Sequence, residues 1–351
     1  VLVEEGNEIV GMSLDKVNRL TDQIESTAQK IQVLRASEIQ FQQQTSMADV
    51  LANSGSIFVQ KSQLGGGSPI IRGFETNKVL LVVDGIRMNN AIYRGGHLQN
   101  SLTLDQANMD RVELVFGPGS VMYGSDAIGG VMSFQTKKPL FSSSDQLLVR
   151  SSAYMRGFSA GAGYSANAQV NIGSKRFASL TSISYAAYGD LRQGNKRSAA
   201  IGNLGYRPWY VAQFNGADSM VVNADSSLQV GSGYKQYDVL QKFSFVQKPG
   251  VMHHLNVQLS NSGNIDRYDR LTLMSGSKPR FAEWYYGPQF RLLAAYTLEL
   301  NNTTKFYDNA RIILAYQAIE ESRIDRRFQK ASRNHRIEQL DIFTLNADFM
   351  K

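Results

Sequence analysis

The residue types that could do chemistry come first. Four histidines, His97, His253, His254 and His335, are present. None stands in the H-E-x-x-H spacing that lets two rings on one helical face hold zinc. The chain has no cysteine, which removes disulfides, thiol catalysis and Cys-based metal centres together and leaves the redox compartment undetermined. Gly157-Phe158-Ser159-Ala160-Gly161 has the spacing of a nucleophile elbow, which sets a serine on a strained turn between a strand and a helix. Strand-like sequence lies on both sides of it, so it reads as a hairpin turn. Gly117-Pro118-Gly119 with Gly124 suggests a phosphate-binding loop, but the lysine of a P-loop is absent and the dinucleotide spacing is wrong. No carboxylate pair has a context that singles it out for acid–base work. These residues imply no enzyme.

The elements that carry them fall into two parts with different patterning. At 351 residues, 42% hydrophobic and 19% charged, the chain can bury a core and has the length of roughly two domains. Its net charge of +7 is spread among interleaved acids and bases, without the basic arm of a nucleic-acid binder. The longest wholly aliphatic run, Val79 to Val83, is far below the ~18 residues of a membrane helix, whereas a transmembrane β-barrel escapes that test. Val1 begins without the charged and apolar regions of an export signal, so any such signal is expected to have been removed.

Up to about Pro139 the sequence reads as a compact α+β unit. Ser46-Met47-Ala48-Asp49 resembles a capping box and predicts a short helix over 46–53. Ile57 to Lys61, Ile70 to Phe74, Val79 to Asp84, Arg111 to Phe116 and Gly130 to Thr136 read as short strands between Gly, Pro and Asn signals. Val79 to Val83 is apolar at every position, which predicts a strand covered on both faces.

After about Gln146 long period-2 segments take over. Val251, Leu255, Val257 and Leu259 alternate with His254, Asn256, Gln258 and Ser260. Phe290 to Leu300 and Ala310 to Ala318 alternate in the same way. Each run is about ten residues, longer than the usual ~5–6 and matched to a tilted bilayer crossing. Tight turns at Gly173 to Arg176, Lys248 to Gly250 and Asn301 to Lys305 alternate with long polar connections at Gly189 to Gly233, Gly263 to Glu283 and Glu321 to Arg336. Short on one side and long on the other is the outer-membrane barrel pattern. Tyr185, Tyr188, Tyr234, Tyr237, Trp284, Tyr285 and Tyr286 lie near strand ends, where aromatic girdles belong. The competing reading is a soluble β-sandwich, such as a surface adhesin.

Three segments carry a family resemblance. Pro69 to Phe74, Val79 to Asn89 and Arg111 to Val131, the last reading RVELVFGPGSVMYGSDAIGGV, resemble the plug domain of a TonB-dependent outer-membrane receptor in order and spacing. The resemblance implies an N-terminal periplasmic segment over 1–30, an α+β plug over 31–139 and antiparallel transmembrane β-barrel strands over 140–351. A barrel of this family has about 22 strands around a plugged lumen, and only about eight can be placed, the last running to the end. The chain is therefore expected to be incomplete at its C-terminus, since about eight strands alone close too narrowly for a plug.

The resemblance also implies roles. Gly96-His97-Leu98 is similar to the plug loop of haem receptors, where such a histidine ligates haem iron, and Tyr93 and Arg94 share the loop. The alternative for His97 is a hydrogen bond from loop to barrel. Tyr206-Arg207-Pro208-Trp209 is not the motif that carries the second haem ligand in that family. Arg72 and Arg111 occupy plug positions that pair with barrel glutamates, and Glu299 and Glu320 are the candidate partners. Either Glu8-Ile9-Val10 or Leu14-Asp15-Lys16-Val17 is the expected TonB box, a segment able to add as a strand to the TonB sheet edge. The implied function is energised import of a metal chelate, iron-siderophore or haem ahead of cobalamin. The implied partners are TonB, outer-membrane lipid and a free chelate or haem carrier protein, without nucleic acid. No intrinsic cofactor is implied, haem or ferric chelate being cargo.

Overall fold

In a computed structural model the protein is described at residues 30–61, 64–75, 78–92, 101–194, 196, 198, 200, 202 and 205–351. The first part holds β1 (Lys30–Arg35), α1 (Ala36–Gln42), α2 (Met47–Ala52), β2 (Phe58–Gln60), β3 (Ser68–Ile70), β4 (Val79–Val83), β5 (Ile86–Arg87), β6 (Met109–Phe116), α3 (Ser120–Tyr123) and β7 (Gly130–Thr136). Its main sheet runs β1-β6-β7-β4-β5, with β4 parallel to β7 and the remaining pairs antiparallel.

Strand β4 is buried at all five positions, as its unbroken apolar run predicts. Val79, Leu81 and Val83 join Leu34, Ile39, Met47, Leu51, Leu114 and Phe134 in the larger core. Leu80 and Val82 face the other way, onto Val115, Ala127 and Val131. Helix α2 begins where the capping signal places it, with the Ser46 hydroxyl accepting from the Asp49 amide at 3.3 Å. The segment 70–74 departs from the predicted strand. Ile71 and Phe74 exchange backbone hydrogen bonds across Arg72 (φ 49°) and Gly73 (φ 83°), a two-residue turn that needs two left-handed residues.

Gly129 shows how closely this unit is packed. A Cβ there would lie 2.3 Å from the Phe74 Cβ and 3.0 Å from the Lys78 carbonyl. Gly129→Ala is expected to destabilise the unit by about 1–3 kcal/mol, the usual cost of overpacking. Limited proteolysis of this part, with the barrel strands as internal reference, would show it.

The second part is one open antiparallel sheet of eight long strands. They are β8 (Leu148–Phe158), β9 (Gly163–Gly173), β10 (Phe177–Tyr188), β15 (Tyr234–Lys248), β16 (Val251–Ser262), β21 (Phe290–Leu300), β22 (Asn309–Arg327) and β23 (Arg333–Met350). Each pairs with the next in that order, and β8 and β23 are the edges. Short elements fill the connections on one side. β11 (Leu191–Arg192) pairs with β14 (Leu228–Gln229), and β12 (Trp209–Phe214) with β13 (Ala217–Val222). In the next connection β17 (Ile265–Asp266) pairs with β20 (Phe281–Tyr286), flanking α4 (Tyr268–Leu271) and the pair β18 (Met274–Ser275) and β19 (Lys278–Pro279). The G-x-S-x-G segment closes the β8–β9 hairpin.

The sheet is turned inside out relative to a soluble protein. Polar side chains such as Asn256, Arg291, Thr297 and Gln317 are buried. The alternate positions Leu255 (42% exposed), Leu314 (51%) and Phe343 (81%) point away into the surroundings. A soluble sandwich would bury its oily faces, so the adhesin reading fails on this observation. Among the described residues no helix is long and apolar enough to cross a membrane.

One expected loop is mostly strand. The polar run 321–336 continues β22 and β23 in register until Arg326 opposite Arg333. Cross-strand ion pairs hold it there: Arg323 to Glu338 at 2.8 Å and Arg336 to Asp325 at 2.9 Å.

Candidate functional site

The first unit lies on the polar face of the sheet, and its most concentrated contact is the turn after β4. Asp84 (φ 50°) and Gly85 (φ 86°) adopt the left-handed conformation that reverses the chain into β5 and presents the turn to the wall. The Asp84 carboxylate accepts from the Thr136 amide at 2.8 Å and hydroxyl at 2.6 Å within its own unit. From the wall it accepts Asn256 Nδ2 at 2.8 Å, Gln258 Nε2 at 3.1 Å and Lys242 Nζ at 3.0 Å. Burial by itself would raise this carboxyl. The Lys242 ammonium and the Thr136 hydrogen bonds outweigh it and hold the group below the usual carboxylate range.

Backbone carbonyls complete the grip. Arg311 Nη2 donates to the Asp84 carbonyl at 3.2 Å, Asn346 Nδ2 to Gly85 at 3.0 Å and Gln317 Nε2 to Arg87 at 3.0 Å. Arg291 Nη2 donates to Gln317 Oε1 at 3.0 Å and so orients that amide. Ile86 alone is apolar, seated among Leu293, Ala295, Ile313 and Ala315. Side chains from five strands of the wall thus meet four consecutive residues.

A second contact lies across the sheet. The Asp105 carboxylate accepts from the Ser184 hydroxyl, from the Ala107 amide at 3.0 Å and from Asn108 Nδ2 at 2.9 Å. Burial pushes the Asp105 carboxyl up, with Ser184 and the Ala107 amide only partly opposing it. Gln169 Nε2 donates to the Ala107 carbonyl at 2.9 Å, Gln236 Nε2 to Leu102 at 2.9 Å and the Tyr188 hydroxyl to Thr45 at 2.7 Å. Just above, Leu102 packs with Tyr234, Ile265, Leu271, Trp284 and Tyr286, which tucks the end of its loop beneath the long connections.

The residues singled out by sequence fare differently. His97, Tyr93 and Arg94 lie outside the described residues, as do Glu8, Ile9, Val10, Leu14, Asp15 and Val17. Arg72 is exposed in its turn, its guanidinium 5.6 Å from the Phe116 ring centre. Arg111 meets Glu113 at 2.6 Å and Asp110 at 3.1 Å. Glu299 faces inward to His254 at 3.5 Å and Arg311 at 3.7 Å. Glu320 takes Gln339 Nε2 at 2.8 Å on the outer side, one residue out of phase with the buried Gln317 and Ile319. Neither glutamate reaches Arg72 or Arg111, so the expected anchoring pairs are replaced by the Asp84 and Asp105 contacts. Asn256 and Gln258 had been visible as the polar phase of their strand, and Asp84 as the end of the buried run. Nothing local connects them. No cluster of three metal-ligating side chains occurs among the described residues.

A small mixed domain held by polar bonds on the inner face of an inverted antiparallel sheet defines a plugged outer-membrane β-barrel. Residues 23–131 match the TonB-dependent receptor plug domain, and a sheet with the fold of part of that family's barrel follows it. The chain is 39% identical over 123 residues to a vitamin B12 transporter, BtuB, of Vibrio vulnificus, a match covering 34% of the chain and 19% of that relative. It is 43% identical over 93 residues to a hemin receptor of Yersinia enterocolitica, covering 26% and 13%. Among solved structures, the FrpB iron transporter from Neisseria meningitidis has the same fold with a TM-score of 0.66 at 16% identity, covering 91% of the chain and 46% of that protein. The chain thus spans less than half the length of the solved transporter.

Proposed function

We propose that the protein imports a scarce metal chelate, an iron-siderophore or haem, across the outer membrane with energy delivered by TonB. The observation that supports this most is the nature of the plug–wall interface. Apart from the Asp84–Lys242 pair and the apolar seats of Ile86 and Leu102, it is built of hydrogen bonds to amides and carbonyls, each worth about 0.5–1.5 kcal/mol net because water can replace it. Such an interface can part under an outside pull without exposing a large apolar core. The similar hemin receptor and iron transporter favour an iron cargo, and the similar B12 transporter makes cobalamin the second candidate.

His97, Tyr93 and Arg94 are the proposed cargo contacts, and Glu8-Ile9-Val10 or Leu14-Asp15-Lys16-Val17 the proposed TonB contact. The test is accumulation of labelled haemin, a ferric siderophore and cobalamin in cells expressing the protein as their sole candidate receptor, with TonB present or deleted. Uptake of an iron chelate that requires TonB is expected. Equal uptake without TonB would overturn the transport reading, and TonB-dependent uptake of cobalamin alone would overturn the iron assignment. For a haem cargo, His97→Ala is expected to shift the Soret band of bound haemin and weaken uptake. His97→Gln keeps a donor and an acceptor but ligates iron poorly. If it behaves as wild type, His97 supports the loop and is not a ligand.

A further inference from the structure

The membrane-facing side of the sheet is not uniform. Between β16, β21, β22 and β23 it is hollowed into an apolar groove of about 510 Å³. The hollow exists because Ala294 faces outward among large neighbours. It lies directly opposite Tyr316 and two residues from Tyr296 on its own strand. Leu255 and Leu314 flank Tyr296, and Phe343 lies against Tyr316 with the rings tilted at 38° and their centres 5.1 Å apart. The floor offers no free backbone group for a peptide to pair with, since β21 and β22 are hydrogen-bonded on both sides here. An occupant must therefore ask for no hydrogen bonds, as a hydrocarbon chain does.

One end of the groove is polar. The Tyr296 hydroxyl meets His253 Nδ1 at 2.7 Å, and His253 Nε2 meets Gln247 Oε1 at 3.0 Å. This is the side of the tight turns, which in such barrels faces the periplasm. The Arg176 guanidinium is held at the Val246 and Gln247 carbonyls, and Lys248 follows, exposed. Among the described residues neither cation has a carboxylate partner, whereas the adjacent Lys175 is paired with Asp145.

We propose that this groove is a specific lipid site, holding an acyl chain of an anionic phospholipid whose phosphate rests on Arg176 and Lys248. The order of parts is that of the lipid: an apolar slot at membrane depth, a hydrogen-bonded aromatic and imidazole level, then two cations at the surface that meet no carboxylate among the described residues. The proposal depends on the sheet crossing the membrane and is independent of the cargo.

The experiment uses the detergent-solubilised protein equilibrated with mixed micelles containing equal phosphatidylglycerol and phosphatidylcholine, read by native mass spectrometry. The wild type is expected to retain phosphatidylglycerol in preference. Ala294→Phe fills the hollow from the outer face and is expected to lower that retention at least about tenfold. Ile183→Phe, at an exposed outward position elsewhere on the sheet, is expected to leave it unchanged. The double variant Arg176→Gln, Lys248→Gln is expected to bind both lipids equally. Heat-modifiable migration on a gel confirms that each variant folds. Retention by Ala294→Phe equal to wild type, or no lipid preference in the wild type, would overturn the proposal. A dimer mass abolished by Ala294→Phe would overturn it in favour of a second copy in the groove.

Discussion

Asp84→Ala is expected to release the plug from the wall while leaving the strands paired. It removes the one acceptor shared by Thr136, Asn256, Gln258 and Lys242 and strands the Lys242 ammonium at a buried position. Breaking a buried pair in this way costs about 3–5 kcal/mol. Arg72→Ala is the matched control, since it loses only an exposed contact with the Phe116 ring, worth about 0.5–1 kcal/mol. Hydrogen exchange of the 84–87 amides and passive entry of a large antibiotic should both rise for Asp84→Ala and stay near wild type for Arg72→Ala. If neither moves, the turn is not what holds the plug. Asp84→Asn combined with Lys242→Met removes both charges and should recover part of the loss. The pH dependence has a definite sign. The Asp84 carboxyl is held below its ordinary value, so its contribution is complete above about pH 4 and is lost as pH falls through the lowered folded value. Acid should loosen the plug, and changes near neutrality should not act through this group.

Arg326→Leu is expected to free the outer hairpin of β12 and β13 without disturbing the membrane strands. Arg326 Nη1 and Nη2 donate to the two oxygens of Asp218 at 2.7 and 2.8 Å, and its Nε donates to Glu283 at 2.8 Å. Asp218 also accepts the Gln329 amide at 2.8 Å. The Arg326 hydrogen bonds hold the Asp218 carboxyl below its ordinary value despite burial. Losing the guanidinium leaves Asp218, 7% exposed, without its charged partner, while Glu283 keeps Arg333 at 2.8 Å, and the cost is up to about 3–5 kcal/mol. The hairpin can escape that cost by moving into water, so the loss should appear as local opening and not as global unfolding. Protease cleavage within 209–222 should accelerate at unchanged heat-modifiability. Arg326→Lys keeps the charge but not the two-pronged geometry, and should fall between. Cleavage of Arg326→Leu at the wild-type rate would mean that another contact holds the hairpin.

Alternation of polar and apolar residues was enough to place the long strands and to assign each residue a face, because successive side chains on a strand must point to opposite sides. The unbroken run Val79 to Val83 in the same way required a strand covered twice. The order of the plug segments carried the family. Which face looks outward was decided only by the tertiary structure, where the plug occupies the polar side and leaves Leu255 and Phe343 uncovered. Glu320, expected as a lumen partner, shares the phase of Ala310 to Ala318, which faces outward, so strict alternation already separates it from the buried Gln317 and Ile319. The partners of Asp84 were invisible, since Lys242 and Arg311 lie far along the chain and arrive through the register of strands they do not adjoin in sequence. Face and period are set by the covalent geometry of neighbouring residues. Partnership depends on how separate strands slide past one another, and that is settled only when the whole sheet and the domain on it are packed together.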